Sequence, residues 1–165
     1  MNHSKHTRGW AGAAIMLQLI ASAWGQSPPE ERKAWAVFEA GPGAATDGST
    51  AVGFVQAGVS GEGVLSGGLG ASVGLGYVAG FSGGHFGLFS PGMAYFFNRN
   101  QRTVPFVFGG YSLFFSGSTA SGVHFGAGVN RWMGEHWGLR FEVRDTVLVE
   151  YNAHFVAGQV GIVLR

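Results

Sequence analysis

From Ala34 onward, apolar side chains recur at every second position, and a repeat of two directs a chain into β-strands rather than helices. The clearest stretch is Trp137–Arg144, where Leu139, Phe141 and Val143 fall on one face and Gly138, Arg140, Glu142 and Arg144 on the other. Just upstream, Val123, Phe125, Ala127 and Val129 oppose His124, Gly126, Gly128 and Asn130. Near the end, Val156, Val160, Ile162 and Leu164 share a face, with Gln159, Gly161 and Val163 opposite. Weaker alternation marks further strands near Trp35–Ala40, Thr50–Val59, Val64–Val78, Phe86–Phe97 and Val104–Phe115, separated by turn residues at hairpin-like intervals. Pro91, inside the fourth of these, implies a bulge or two shorter pieces, because proline cannot donate to a ladder. The count is eight, an even number that returns the chain to its starting side and is the smallest usual size for a membrane-spanning barrel.

Alternation alone fits a soluble, lipocalin-like barrel equally well, with its apolar face turned inward. The second face separates the two. In a soluble barrel that face meets water and is rich in charge; here it is mostly Gly and Ser, in a chain with 30 glycines and only 12% charged residues. Small residues suit the narrow lumen of an eight-stranded barrel, which leaves the apolar face for lipid. Closure of the sheet removes the unpaired edges that a bilayer does not tolerate. Aromatic residues flank two turns: Tyr95, Phe96 and Phe97 precede Asn98–Arg102, and Trp132 and Trp137 bracket Gly134–His136. As a set they read as an interfacial girdle. The sequence therefore predicts an all-β fold, an eight-stranded antiparallel up-and-down transmembrane β-barrel over residues 34–165.

Ahead of the barrel, Met1–Ser27 has the layout of a secretory signal. Lys5 and Arg8 charge its start, Trp10–Ala23 form an apolar run, and Ala23-Trp24-Gly25 provides small residues for cleavage. The run is shorter than the ~20 residues of a spanning helix and contains Gln18. Residues 1–25 are thus read as a signal peptide and 26–33, with Pro28-Pro29-Glu30-Glu31-Arg32-Lys33, as a polar spacer. A formal charge of +1 gives no reason to expect nucleic acid as a partner. The absence of cysteine excludes disulfides, thiol catalysis, thiolate zinc sites and a lipidated N-terminal cysteine.

The residues Pro105–Tyr111, Phe125–Val129, Leu139–Val143 and the strand Phe155–Leu164 resemble the outer-membrane β-barrel superfamily that includes the OmpA transmembrane domain and the OmpX/Ail group. The resemblance spans nearly all of the mature chain and implies a Gram-negative-type cell outer membrane. It implies outer-membrane lipid, lipopolysaccharide and the barrel-assembly machinery as surroundings, a monomer, and no cofactor. Members usually end in an aromatic residue, where this sequence reads Leu164-Arg165.

Candidate sites are few. Arg140, Glu142 and Arg144 share one strand face and Glu39 faces the lumen from the first strand; charges held against an apolar wall have to pair. Such a set either gates an ion path or plugs the barrel, and the plug has the stronger physical case, since side chains can fill an eight-stranded interior. Related barrels include lipid A deacylases and palmitoyltransferases. A Ser-His-Glu set from Ser116, Ser118, Thr119, Ser121, His124 and Glu150 is conceivable near the outer rim. However, the deacylase pattern, His followed two residues on by Ser-Asn, is missing after His124, and catalysis is not expected. His85, His124, His136 and His154 lack metal-ligand spacing. Gly67–Gly70 and Gly74–Gly76 lack the Gly-Lys-Ser/Thr of a phosphate loop and read as interior or bend glycines. Outer loops are expected near Pro42–Ser49, Ala79–His85, Ser116–Ser121 and Asp145–Asn152, all short and poor in anchors for a partner. The sequence thus favours a small outer-membrane barrel of structural or unassigned role. The alternatives are a surface-binding, adhesin-like barrel or a lipid A-modifying enzyme.

Overall fold

A computed structural model describes residues 34–165; the expected signal peptide and spacer lie outside the described residues. Eight strands follow one another: β1 Ala34–Thr46, β2 Ala51–Ser66, β3 Leu69–Gly80, β4 His85–Phe96, β5 Thr103–Ser116, β6 Ser118–Trp132, β7 Trp137–Leu148 and β8 Ala153–Leu164. Each pairs antiparallel with its neighbour in sequence, and β8 returns to β1 through pairs from Ala36↔Leu164 to Thr46↔His154. The sheet is a closed up-and-down barrel. Ala34 and Leu164 lie at one end, here the terminus end, with the β2–β3, β4–β5 and β6–β7 turns; the other four connections form the loop end.

The period of two plays out as the alternation requires. Phe38, Val55, Val59, Leu75, Val107, Phe125, Phe141, Val143 and Val160 point outward and are exposed, while Val37, Phe54, Val78, Phe106 and Val163 point inward and are buried. Large apolar side chains are thus more numerous outside the barrel than in its core. On the outer face of the strands the charged groups are Asp145 with its partner His154, near the loop end, and Arg131, bonded to Thr103, near the terminus end.

Several boundaries differ from those the sequence predicts. The β2–β3 turn is not at Ser60–Gly63 but at Gly67-Gly68, which adopt φ of +58° and +101°. Two adjacent left-handed residues are what a tight hairpin turn of the sheet's own twist needs, and Gly-Gly supplies them without strain. Strands also run further into the loop end. β1 continues through Pro42 to Thr46, and β5 and β6 are joined by Gly117 alone, so the loops are shorter still than expected. Pro91 causes neither a bulge nor a break. β4 pairs with β3 through Val73↔Pro91, and on the β5 side the ladder omits Ser90 and Pro91 and resumes at Gly92↔Gly110 in unchanged register. The register shift lies instead between Val64 and Ser66. The girdle is also revised: Tyr95, Phe97 and Trp137 point outward, but Phe96 and Trp132 belong to the opposite parity and are buried.

Candidate functional site: a charge network in the lumen

Small residues create the room for this site. On β2, β3 and β4 the inward positions include Gly58, Ser60, Ser72, Gly74, Gly76 and Ser90, which leave one side of the lumen hollow. The bulky polar side chains of β7 fill it from the opposite wall. Gly128 shows how tight the fit is: a Cβ there would lie 2.5 Å from the Phe106 ring and 2.9 Å from Cβ of Glu142.

Glu39, Arg140, Glu142 and Arg144 come together in the middle of the lumen, joined by Glu62, which the sequence reading left in a turn. Glu142 is the hub. It accepts from Arg140 Nε at 2.9 Å and from Arg144 Nε and Nη2 at 3.1 and 2.9 Å, and its Oε2 also lies 2.9 Å from Arg140 Nη2. Arg140 forms a second fork on Glu62, with Nη1 and Nη2 each 2.9 Å from a carboxylate oxygen. Glu62 in turn accepts a 2.6 Å hydrogen bond from Trp35 Nε1. Glu39 is held more loosely, 3.8 Å from Arg140 and 3.7 Å from Arg144, and its Oε2 has no hydrogen-bond partner among the described residues. Three carboxylates (Glu39, Glu62, Glu142) therefore face two guanidiniums (Arg140, Arg144). The guanidinium planes also stack on rings, Arg140 4.0 Å from the Phe106 centroid and Arg144 5.1 Å from that of Phe108.

Further layers of side chains flank this network on either side. Toward the terminus end, Trp35, Val37, Phe96, Val104, Phe106 and Trp132 form an apolar cluster, with Trp35 edge-on to Phe96 and Trp132. Arg165 lies 3.8 Å over the Trp132 ring, so the residue that departs from the resembled terminal pattern covers the end of this cluster. Toward the loop end, a hydrogen-bonded chain runs from Ser90 through Ser112 (3.3 Å) to His124 Nδ1 (2.9 Å), below the apolar residues Leu88, Phe114 and Leu148. The free space against the Gly/Ser wall is about 20 Å³, room for one water.

The conceivable Ser-His-Glu set is not assembled. His124 is buried in the lumen on Ser112, while Thr119 and Ser121 belong to the outward parity of β6 and Glu150 sits in the β7–β8 loop. The histidines occupy separate places. His85 stacks on Tyr77, His154 pairs with Asp145 at 3.0 Å, and His136 lies in the β6–β7 turn. With Gly67-Gly68 as the hairpin turn, Glu62 falls on the inward parity of β2, and that glycine pair is the sequence signal for it.

No family model matches the sequence, and no curated protein matches it. Solved structures do. Neisserial surface protein A is 15% identical with a TM-score of 0.67, covering 79% of this chain and 96% of its own. The N-terminal β-barrel domain of Pseudomonas aeruginosa OprF is 17% identical with a TM-score of 0.56 and coverages of 81% and 98%. Ail, the attachment invasion locus protein of Yersinia pestis, is 12% identical with a TM-score of 0.56 and coverages of 81% and 97%. The chain has the closed eight-stranded up-and-down barrel fold of these outer-membrane proteins.

Proposed function

We propose that this protein is a small barrel of a Gram-negative-type outer membrane, spanning the bilayer as a monomer with its lumen plugged by side chains, and that its role in the envelope is structural. One observation carries the reading. The barrel is apolar outside and keeps its charge inside: outward Phe, Val, Leu and Ile encircle it, while five ionised-type side chains are enclosed between apolar layers of the lumen. In water that distribution exposes the apolar surface and hides the charge, whereas in a bilayer both faces meet suitable surroundings. Tyr95, Phe97 and Trp137 then mark the terminus-end interface, and Tyr77, Phe81 and Phe115 the loop-end one. The apparent signal sequence provides the export route. The stacked apolar and charged layers that fill the lumen support the plug.

A surface-binding role has less support. The loop-end connections are Asp47–Thr50, Phe81–Gly84, Gly117 and Val149–Asn152, which offer a partner protein little area. For location and fold, the test is fractionation together with gel mobility. The protein should appear in the outer-membrane fraction and migrate faster unheated than boiled. Recovery as a soluble protein without detergent would overturn the proposal. For the plug, reconstitution in a planar bilayer should give no stable conductance steps, and steady ohmic channels would refute it.

A further inference from the structure

We propose that the loop end of the lumen is a binding cup for a small uncharged molecule with an apolar body and one hydroxyl or carbonyl group. Above the polar layer, the inward parity of β4, β5, β7 and β8 places Phe86, Phe114, Leu148 and Phe155 around a cavity of about 150 Å³. Ala120, inward on β6, leaves the space between them unfilled. The rings meet edge-on or tilted: Phe86 and Phe114 at 5.3 Å and 66°, Phe86 and Phe155 at 6.0 Å and 83°, Phe114 and Phe155 at 5.3 Å and 40°.

The cup is open because its cover is missing. β5 and β6 are joined by Gly117 at φ +75°, so no loop folds back over this sector of the mouth. Its floor is closed: Leu88 packs with Phe114 and Leu148 on the upper side and lines the polar cavity on the lower. A ligand can enter from the loop end and cannot continue through the barrel. Barrel mouths are recurrent ligand sites.

Size and chemistry set the class. An apolar cavity of ~150 Å³ suits one six-membered ring or a chain of about that many carbons, and water gains little from filling it. No charged side chain lines the walls, so a carboxylate or ammonium would be desolvated without a partner. At the rim, Ser116 and Ser118 flank Gly117 and line the cavity from the inward parity of β5 and β6. They can exchange hydrogen bonds with one polar group held at the mouth, while the ring lies among the phenylalanines.

The experiment uses benzyl alcohol, toluene and benzoate as probes on the refolded protein in bicelles, with ring-labelled phenylalanine followed by NMR. Benzyl alcohol should give saturable shifts at millimolar concentration confined to Phe86, Phe114, Phe115 and Phe155, with intermolecular contacts to Leu148, and benzoate should give none. Filling the cup in Ala120→Phe, or in the milder Ala120→Leu should the first not fold, should weaken benzyl alcohol at least tenfold without altering heat-modifiable mobility. Ser116→Ala combined with Ser118→Ala should erase the preference for benzyl alcohol over toluene. Shifts that do not saturate, that spread to the outward Phe38, Phe125 and Phe141, or that persist in the filled variants would show partition into the amphiphile and overturn the proposal.

Discussion

Removing Glu142 is the sharpest probe of the lumen, because both arginines depend on it. In Glu142→Ala, Arg140 keeps its fork on Glu62, but Arg144 loses both hydrogen bonds to Glu142 and retains only Glu39 at 3.7 Å. The Arg144 side chain is 12% exposed, so water replaces little of what is lost. Stripping one partner from a buried pair typically costs ~3–5 kcal/mol, and here the surviving Arg144 charge stays enclosed with only the long Glu39 contact. With a urea slope of about 1–3 kcal/mol/M, the unfolding midpoint should fall by at least ~1 M. The measurement is urea unfolding in lipid vesicles, read by tryptophan fluorescence and by gel mobility of unboiled samples. Glu39→Gln serves as the internal contrast. Among the described residues the Glu39 side chain makes only long ion-pair contacts, so its neutral isostere should cost on the order of 1 kcal/mol or less. Equal midpoints for wild type and Glu142→Ala, or a larger loss in Glu39→Gln, would refute the hub assignment.

Three further outcomes are expected. Gly128→Ala forces a methyl against Phe106 and the Phe141 carbonyl, each 2.5 Å from the added Cβ, and should cost about 1–3 kcal/mol in the same unfolding assay. Trp35→Phe keeps the ring packing but deletes the 2.6 Å hydrogen bond to Glu62, which predicts a loss of ~1.5–3 kcal/mol. In the β1–β2 loop, backbone N–H groups of Thr50 and Ser49 and the Ser49 hydroxyl hold the Asp47 carboxyl down at about 2. A depressed carboxyl stabilises the fold above its unfolded value of ~3.9, and that contribution disappears as pH falls toward about 2. NMR titration of the Asp47 side-chain carbon should show a midpoint near 2 in wild type and a small upward shift in Ser49→Ala, which removes the hydroxyl but keeps both backbone donors.

The outward and inward faces of β6, β7 and β8 were fully legible, because strict alternation leaves a strand one way to bury its small and charged positions. So were Arg140, Glu142 and Arg144 as neighbours, since they share one face of one strand. Elsewhere local pattern misled. Ser60–Gly63 looks as much like a turn as Gly67-Gly68 does, and a turn there takes Glu62 out of its strand. Phe96 and Trp132 looked like girdle residues from their places beside turns, yet parity sends them inward.

The sequence by itself thus determined the strand number, the barrel closure that an even count and an apolar outer face demand, and the presence of charge in the lumen. What partners that charge has was decided only by the tertiary structure. Glu62 on β2 meets Arg140 across the barrel, a contact set by the stagger of the closed sheet rather than by any spacing along the chain. The open aromatic cup at the loop end belongs to the same category, since five strands contribute to it and no segment of sequence contains it.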